Sequence, residues 1–104
     1  MFSIILDINR QNVKSLNYPS GHFHYMLDKG TMDAVCRLPL EDVFQAMDEI
    51  SRVLAPDAVL LQFTEEPPEV RLDLWERWGR TVNRKFTIGN QEIDDKYVYR
   101  VKFQ

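Results

Sequence analysis

The chain has 104 residues, of which 44% are hydrophobic and 28% are charged, and its formal net charge is −3 at pH 7. This composition fits a single soluble globular domain with a modest core and excludes a disordered chain. The acidic balance excludes a general nucleic-acid surface, which needs a basic excess, and no apolar run approaches the roughly 20 residues that span a bilayer.

The single cysteine, Cys36, excludes an internal disulfide, so a reducing compartment is the simpler interpretation. The first ten residues, MFSIILDINR, show neither the basic leader nor the small-residue cleavage site of a secretory signal. We therefore expect an intracellular location, cytoplasmic or mitochondrial.

The first third of the chain is predicted to hold two buried strands. Phe2 to Ile8 is a short apolar run rich in isoleucine, and Phe23 to Leu27 is a second one. Between them, Tyr18 to Gly21 (YPSG) has strong turn chemistry, because proline fixes one backbone dihedral and glycine permits a positive one.

The clearest helix is predicted from Glu41 to Leu54. Acidic residues occupy its first turn and Arg52 its last, as the helix dipole favours. Ala55 to Ala58 (APDA) is predicted to break the chain before a third buried strand, Val59 to Phe63. The apolar stripe of the helix consists of Val43, Phe44, Met47, Ile50, Val53 and Leu54.

A second, shorter helix is predicted from Val70 to Trp78, with Val70, Leu74 and Trp78 along one face and Gly79 at its end. The preceding segment, Glu65 to Glu69 (EEPPE), is interpreted as a stiff acidic loop. It also has the pattern of a helix start, with proline at the first position and acids in the first turn.

The end of the chain is predicted to form two strands, Thr81 to Ile88 and Tyr97 to Phe103, joined by the polar turn GNQEIDD. The last strand alternates apolar and polar residues, as a half-buried strand does. The order β, β, α, β, α, β, β predicts one α/β domain over 1–104, with parallel strands followed by an antiparallel hairpin.

Three predicted strands end in polar groups: Asp7 after the first, Asp28-Lys29 after the second and Thr64-Glu65 after the third. In open α/β sheets, ligands bind beyond the carboxyl ends of the parallel strands. The three strand ends are therefore a candidate rim of a binding site. The alternative is ordinary strand termination, since acids are common in loops.

The stretches FHYMLDKGTMDAV and MDEISRVLAPDAVLLQFTEEPPEVR resemble the C-terminal half of class I S-adenosylmethionine-dependent methyltransferases. DKGTMDA resembles the DKGTxDA motif of a subset that methylates protein lysines, and LLQFTEEPPEVRL is most similar to the members of that subset that act on citrate synthase. The resemblance runs from about Tyr18 to the end and implies a partial Rossmann-like sheet whose N-terminal strands are missing.

The resemblance implies a cofactor side of the site. Asp28 and Lys29 would border the methionine part of S-adenosylmethionine and its transferable methyl, which makes them the catalytic candidates, and Gly30 would turn the chain beneath it. Asp7 would hydrogen-bond the adenine amine after the family's third strand. In a rival register, Asp7 binds the ribose after the second strand.

The resemblance also implies a substrate side. Thr31 follows the turn, and Glu65 and Glu66 follow the strand where a protein lysine approaches. Carboxylates suit this place, because the sulfonium and the incoming ammonium are both cations. Asp33 is assigned only a local capping or pairing role. No metal is required, and His22 and His24 lack the companions of a metal site.

The four glycines, at positions 21, 30, 79 and 89, do not form the GxGxG-like cofactor loop of the family. We therefore expect a truncated enzyme whose first strand lacks its neighbour and which by itself binds S-adenosylmethionine weakly or not at all. The alternative function is a non-catalytic α/β interaction module. The oligomeric state cannot be read from these residues.

Overall fold

The computed structural model describes residues 5–7 and 12–104. In this part of the chain, five strands form one sheet in the order β1-β2-β3-β5-β4. The elements are β1 (Ile5–Asp7), β2 (Phe23–Lys29), α1 (Thr31–Val35), α2 (Leu40–Val53), β3 (Leu54–Thr64), α3 (Pro68–Gly79), β4 (Phe86–Ile93) and β5 (Lys96–Phe103). Strands β1 to β3 are parallel, and β4 and β5 form an antiparallel hairpin on β3. The predicted α/β class is confirmed.

The first strand has a neighbour, contrary to the expectation from the sequence. β1 pairs in parallel with β2, with Ile5 opposite Tyr25 and Asp7 opposite Leu27. The edge of β2 that faces away from β3 thus has a partner for its backbone hydrogen bonds, which an unpaired edge would expose.

The long helix and the strand after it follow the prediction with one difference. α2 begins after Pro39, has Glu41 and Asp42 in its first turn and ends at Val53. The expected break over 55–58 is instead an irregularity inside β3, where the register shifts against β2 and Asp57 adopts a φ of 65°. A bulge therefore absorbs the turn-forming residues while the strand continues.

Two other elements differ from the prediction. The five-residue helix α1 was not foreseen, because one and a half turns are too short to show a helical period. The predicted turn over 89–95 is mostly strand, since β4 extends to Ile93 and the hairpin turn is only Asp94-Asp95. Pairing along β5 overrides the turn preference of Gly89 and Asn90.

The core lies on one face of the sheet, under the two longer helices. α3 buries Arg71, Trp75 and Trp78, so the predicted stripe was wrong in part: Val70 is 49% exposed. Burying both tryptophans removes more apolar surface from water than burying Val70 would. The other large core residues are Met26, Met47, Ile50, Leu60, Val101 and Phe103, and Cys36 packs against them from the side.

None of the helices among the described residues is long and apolar enough to cross a membrane.

The hairpin turn gives a first prediction. Asp94 and Asp95 have φ values of 50° and 64°, the left-handed region that type I′ turns require and in which Asp-Gly is preferred to Asp-Asp. Asp95→Gly is expected to raise the free energy of unfolding by about 0.5 kcal/mol. Urea unfolding checks this, with Glu92→Gly in β4 as the matched control. Glu92→Gly should lose about 0.5–1 kcal/mol, the usual cost of glycine within a strand. A loss of stability in Asp95→Gly as well would show that the left-handed backbone at Asp95 carries no strain that glycine relieves.

Candidate functional site

An open cleft of about 690 Å³ lies beyond the carboxyl ends of the parallel strands β2 and β3. It is the place where open α/β sheets bind their ligands. The hairpin turn between β4 and β5 closes its far side. Its walls are formed by Lys29, Gly30, Asp33, Phe63, Thr64, Glu65, Ile93, Asp94, Lys96, Tyr97 and Val98.

Three of the site residues predicted from the sequence meet in this cleft: Lys29, Gly30 and Glu65. Asp28 lies beneath it and is 1% exposed, while Thr31 begins α1. These placements bring the second and third predicted strand ends together, and the chemical roles of the residues stay predictions.

The other two predicted residues lie elsewhere. Glu66 turns away from the cleft and pairs with Arg71, a contact described below. Asp7 ends β1 in register with Leu27, but its side chain lies outside the described part of the chain, so its predicted role at the adenine or the ribose is untested.

Asp28 shapes the turn that leads into the cleft. Its Oδ1 accepts hydrogen bonds from the backbone N–H groups of Thr31 (2.9 Å) and Met32 (3.3 Å), the first turn of α1. Gly30 makes the turn with a φ of 102°, a conformation that side chains rarely adopt. Burial raises the pKa of Asp28, although these hydrogen bonds and Gln62 oppose the increase. The carboxyl group thus ties the end of β2 to the start of α1.

Gln62 lies opposite Asp28 on the neighbouring strand β3. Its Nε2 donates to Asp28 Oδ2 at 2.9 Å. Its Oε1 accepts from Arg71 Nη1 and from Trp75 Nε1, both at 3.0 Å. Because the indole and the guanidinium can only donate, the orientation of this amide is fixed, and its NH₂ group faces Asp28.

Arg71 is fully buried and sits at the centre of these contacts. Its Nε donates to Glu66 Oε1 at 2.8 Å and its Nη2 to Asp33 Oδ1 at 2.5 Å. Burial acts to lower the pKa of Arg71, but Glu66 and Asp33 raise it more, so the net pKa lies above its ordinary value. Two carboxylates therefore balance the buried cation.

Thr64 joins this cluster to the loop after β3. Its hydroxyl donates to both oxygens of Asp33, at 2.7 and 2.9 Å, and accepts from the backbone N–H of Glu66 at 3.0 Å. Tyr99 donates its hydroxyl hydrogen to the Glu66 carbonyl at 2.7 Å. The start of α1, the end of β3 and the start of α3 are thus held together beside the cleft. We call Asp28, Asp33, Gln62, Thr64, Glu66 and Arg71 the strand-end network.

The sequence predicts Thr64 at the candidate rim without a role, gives Asp33 only a local role, and does not single out Gln62 or Arg71. One signal marks Gln62: it lies in an otherwise apolar strand, VLLQFT, on the face that α3 covers. Buried polar side chains need partners. Arg71 has no comparable signal, since an arginine in a short helix is usually exposed.

Among residues 5–7 and 12–104, no group of three or more His, Cys, Asp or Glu side chains is arranged to hold a metal ion. The cleft instead combines carboxylates with the exposed apolar surface of Phe63 and Ile93. This combination can receive a cation on a hydrocarbon stem.

No family model matches the sequence. Curated relatives do match. The human mitochondrial citrate synthase-lysine N-methyltransferase CSKMT is 48% identical over 65 residues, which cover 61% of this chain and 27% of that protein. The bovine EEF1A lysine methyltransferase 4 is 34% identical over 70 residues, covering 58% and 28%. This chain thus spans about a quarter of the length of the curated relatives it matches.

Solved structures share the fold at low sequence identity. A S-adenosylmethionine-dependent methyltransferase from Thermotoga maritima aligns with a TM-score of 0.62 at 13% identity, over 88% of this chain and 61% of that one. The N-methyltransferase NodS from Bradyrhizobium japonicum, solved with S-adenosyl-L-homocysteine, has a TM-score of 0.57 at 12% identity, over 90% and 52%. This chain is thus similar in sequence to part of the curated lysine methyltransferases, and it shares the fold of the solved S-adenosylmethionine-dependent methyltransferases.

Proposed function

We propose that this chain is part of a S-adenosylmethionine-dependent protein-lysine methyltransferase, as a single partial domain, and that lysine meets the methyl donor in the cleft beyond β2 and β3. The observation that carries the proposal is the convergence of Lys29, Gly30 and Glu65 on this cleft, above the buried Asp28. The matching relatives are named as lysine methyltransferases, which supports a protein lysine as the substrate.

The residues of the cleft fit the methionine end of S-adenosylmethionine. Gly30 lines the cleft and has no atom within 4 Å of the position a Cβ would take, so a ligand can approach its backbone. Carboxylates at the strand ends favour a sulfonium cation. Asp28 and Lys29 would border this end, and Asp7 would serve the adenosine end.

When bound, S-adenosylmethionine would supply the methyl group: the lysine lone pair would form the new N–C bond as the S–C bond breaks, and the electron pair of that bond would stay on the sulfur. The residues of this chain position the two reactants. Thr31 and Glu65 would guide the lysine, whose ammonium must first lose a proton to solvent so that its lone pair can attack. Catalysis then depends on holding the amine in line with the methyl, and it needs no protein nucleophile or metal.

An exchange of segments tests the function. The matched 65 residues of human CSKMT are replaced by those of this chain, and transfer of labelled methyl to citrate synthase is measured. We expect the chimera to stay within about tenfold of the parent enzyme, a change of about 1.4 kcal/mol in the barrier. A folded chimera that binds S-adenosyl-L-homocysteine but methylates no lysine would contradict the proposal.

The chain alone is expected to bind S-adenosylmethionine weakly or not at all, because its 104 residues contain no GxGxG-like loop to hold the nucleotide. Calorimetric titration of the purified chain measures this directly. Micromolar affinity would show that the cleft holds the cofactor without such a loop.

By comparison with the human relative, we propose an intracellular, mitochondrial location.

A further inference from the structure

We propose that Asp33 receives the ammonium group of the substrate lysine, and that Arg71 and Thr64 are positioning residues that fix its carboxylate at the wall of the cleft. This inference rests on the proposed function in taking lysine as the substrate. Asp33 lines the cleft beside Gly30. Its side chain is 38% exposed, so it reaches the open space while its base is held in the strand-end network.

The two oxygens of Asp33 differ in how far their hydrogen-bonding capacity is used. Oδ1 accepts from Arg71 Nη2 at 2.5 Å and from the Thr64 hydroxyl at 2.7 Å. Among residues 5–7 and 12–104, the one donor to Oδ2 is the same hydroxyl, which shares its hydrogen at 2.9 Å. An ionised carboxylate has about four acceptor positions. Oδ2 therefore keeps the capacity to accept from an ammonium group.

The charges around Arg71 also favour a second cation. One buried guanidinium is paired with two carboxylates, Asp33 and Glu66, which leaves this trio with a formal charge of −1. An ammonium at Asp33 would make the group neutral. Because these side chains are partly buried, solvent screens their interaction less than it screens an exposed pair.

The walls of the cleft fit the rest of a lysine side chain. Phe63, Ile93 and Val98 offer apolar surface to its four-carbon stem, and Tyr97 offers an aromatic ring to its cationic end. Lys29 and Lys96 also line the cleft and would repel an ammonium, so the lysine has to enter at a particular carboxylate. Within the described part of the chain, Arg71 and Thr64 hold the Asp33 carboxylate in place, which lowers the entropy lost on binding.

The test uses the whole 104-residue chain and needs no methyl donor. A short peptide with one lysine and the same peptide with Nε-acetyl-lysine are titrated separately, and backbone amide chemical shifts are followed by NMR. We expect the shifts to map to residues 29–33 and 63–65, and the lysine peptide to bind about tenfold more tightly, as a charge-assisted hydrogen bond predicts.

Asp33→Asn is the decisive variant, because it removes the charge and keeps the shape. The preference for lysine over acetyl-lysine should fall to about twofold or less. Asp73→Asn, an acid-to-amide change on the exposed surface of α3, should leave the preference intact. Full preference in Asp33→Asn, or shifts that map away from the cleft, would overturn the proposal.

Two further variants test the positioning role. Thr64→Val keeps the shape of the side chain but removes its hydrogen bond to Asp33, and it should reduce the lysine preference about threefold without unfolding the chain. Arg71→Lys keeps the positive charge but replaces the three donor nitrogens of the guanidinium with one ammonium nitrogen, so it should retain part of the preference for lysine over acetyl-lysine. If Thr64→Val is folded and binds lysine as the native chain does, Thr64 does not position Asp33.

The binding test separates this inference from the proposed function. If the titration shows that Asp33 gives the lysine preference but the chimera transfers no methyl group, the lysine site stands and the proposed methyltransferase function is refuted. If the chimera methylates lysine but Asp33→Asn keeps the full preference for the lysine peptide, the proposed function stands and the role of Asp33 is refuted.

Discussion

Replacing Arg71 with methionine is expected to lower the free energy of unfolding by about 3 kcal/mol, the low end of the range for removing one partner of a buried ion pair. The guanidinium is 0% exposed, whereas the carboxylates that it pairs with are 38% exposed at Asp33 and 24% at Glu66. Water can therefore solvate part of the two acids after the change, which moderates the loss.

The expected loss has two sources. Asp33 and Glu66 would face each other without the cation between them, and Gln62 Oε1 would lose one of its two donors. A methionine side chain fills most of the vacated volume, so cavity formation adds little. The change is therefore a test of charge and hydrogen bonding rather than of packing.

Urea unfolding followed by tryptophan fluorescence measures the effect, since Trp75 and Trp78 are buried in the native chain. Arg77→Met on the same helix is the matched control. Arg77 is 53% exposed, its nearest carboxylate is Asp73 at 3.9 Å, and its loss should change stability by about 0.5 kcal/mol or less. Equal losses in the two variants would refute the structural role of Arg71.

The sequence predicted the elements whose side chains repeat with a clear period. α2 and β5 were found within one or two residues because their apolar positions follow the helix and strand periods over 14 and 8 residues. The meeting of the second and third polar strand ends was predicted for another reason. The carboxyl ends of parallel strands meet at one edge of a sheet, so the polar groups that follow β2 and β3 had to be neighbours.

What the sequence did not predict depends on contacts between distant positions. Arg71 joins Asp33, 38 residues away, and Gln62, nine residues away, and no local pattern marks either pair. The apolar pattern of α3 predicts Val70 rather than the charged Arg71 as a core residue, and this prediction is wrong. The acceptors that make burial of the arginine possible come from β3, α1 and the loop before α3.

The strand-end network gives the DKGTMDA segment a physical meaning. Asp28 holds the first turn of α1 through two backbone N–H groups. α1 then places Asp33 against Arg71 and Thr64 at the wall of the cleft. One carboxylate of the segment is thus buried and structural in its contacts, and the other, five residues on, is half-exposed and available to a ligand.

Asp28→Asn is the second large effect, and it is expected to lower the free energy of unfolding by about 2 kcal/mol at pH 7 although the two side chains have the same shape. One oxygen of the asparagine can still accept from the N–H groups of Thr31 and Met32. Its NH₂ group would then face the NH₂ group of Gln62. That amide cannot turn round, because Arg71 and Trp75 both donate to its oxygen.

The same variant isolates the pH dependence of Asp28. Burial raises the pKa of this carboxyl in the folded chain above its ordinary value of 3.8, against the opposing hydrogen bonds from Met32 and Gln62. The folded state therefore holds the proton more tightly than the unfolded state does. As the pH falls through the raised pKa towards 3.8, Asp28 contributes increasing stability, which asparagine cannot.

We therefore expect the stability difference between the native chain and Asp28→Asn to grow on acidification from pH 7 and to level off below pH 3.8. Urea unfolding of both proteins across this range measures it, and the difference removes the titration of the other carboxyl groups. The control is Asp73→Asn on the exposed face of α3. Asp48→Asn is unsuitable, because Asp48 accepts a hydrogen bond from Trp78 Nε1. A difference that shrinks as the pH falls would mean that the folded chain favours the ionised carboxylate, with the hydrogen bonds of Asp28 outweighing its burial.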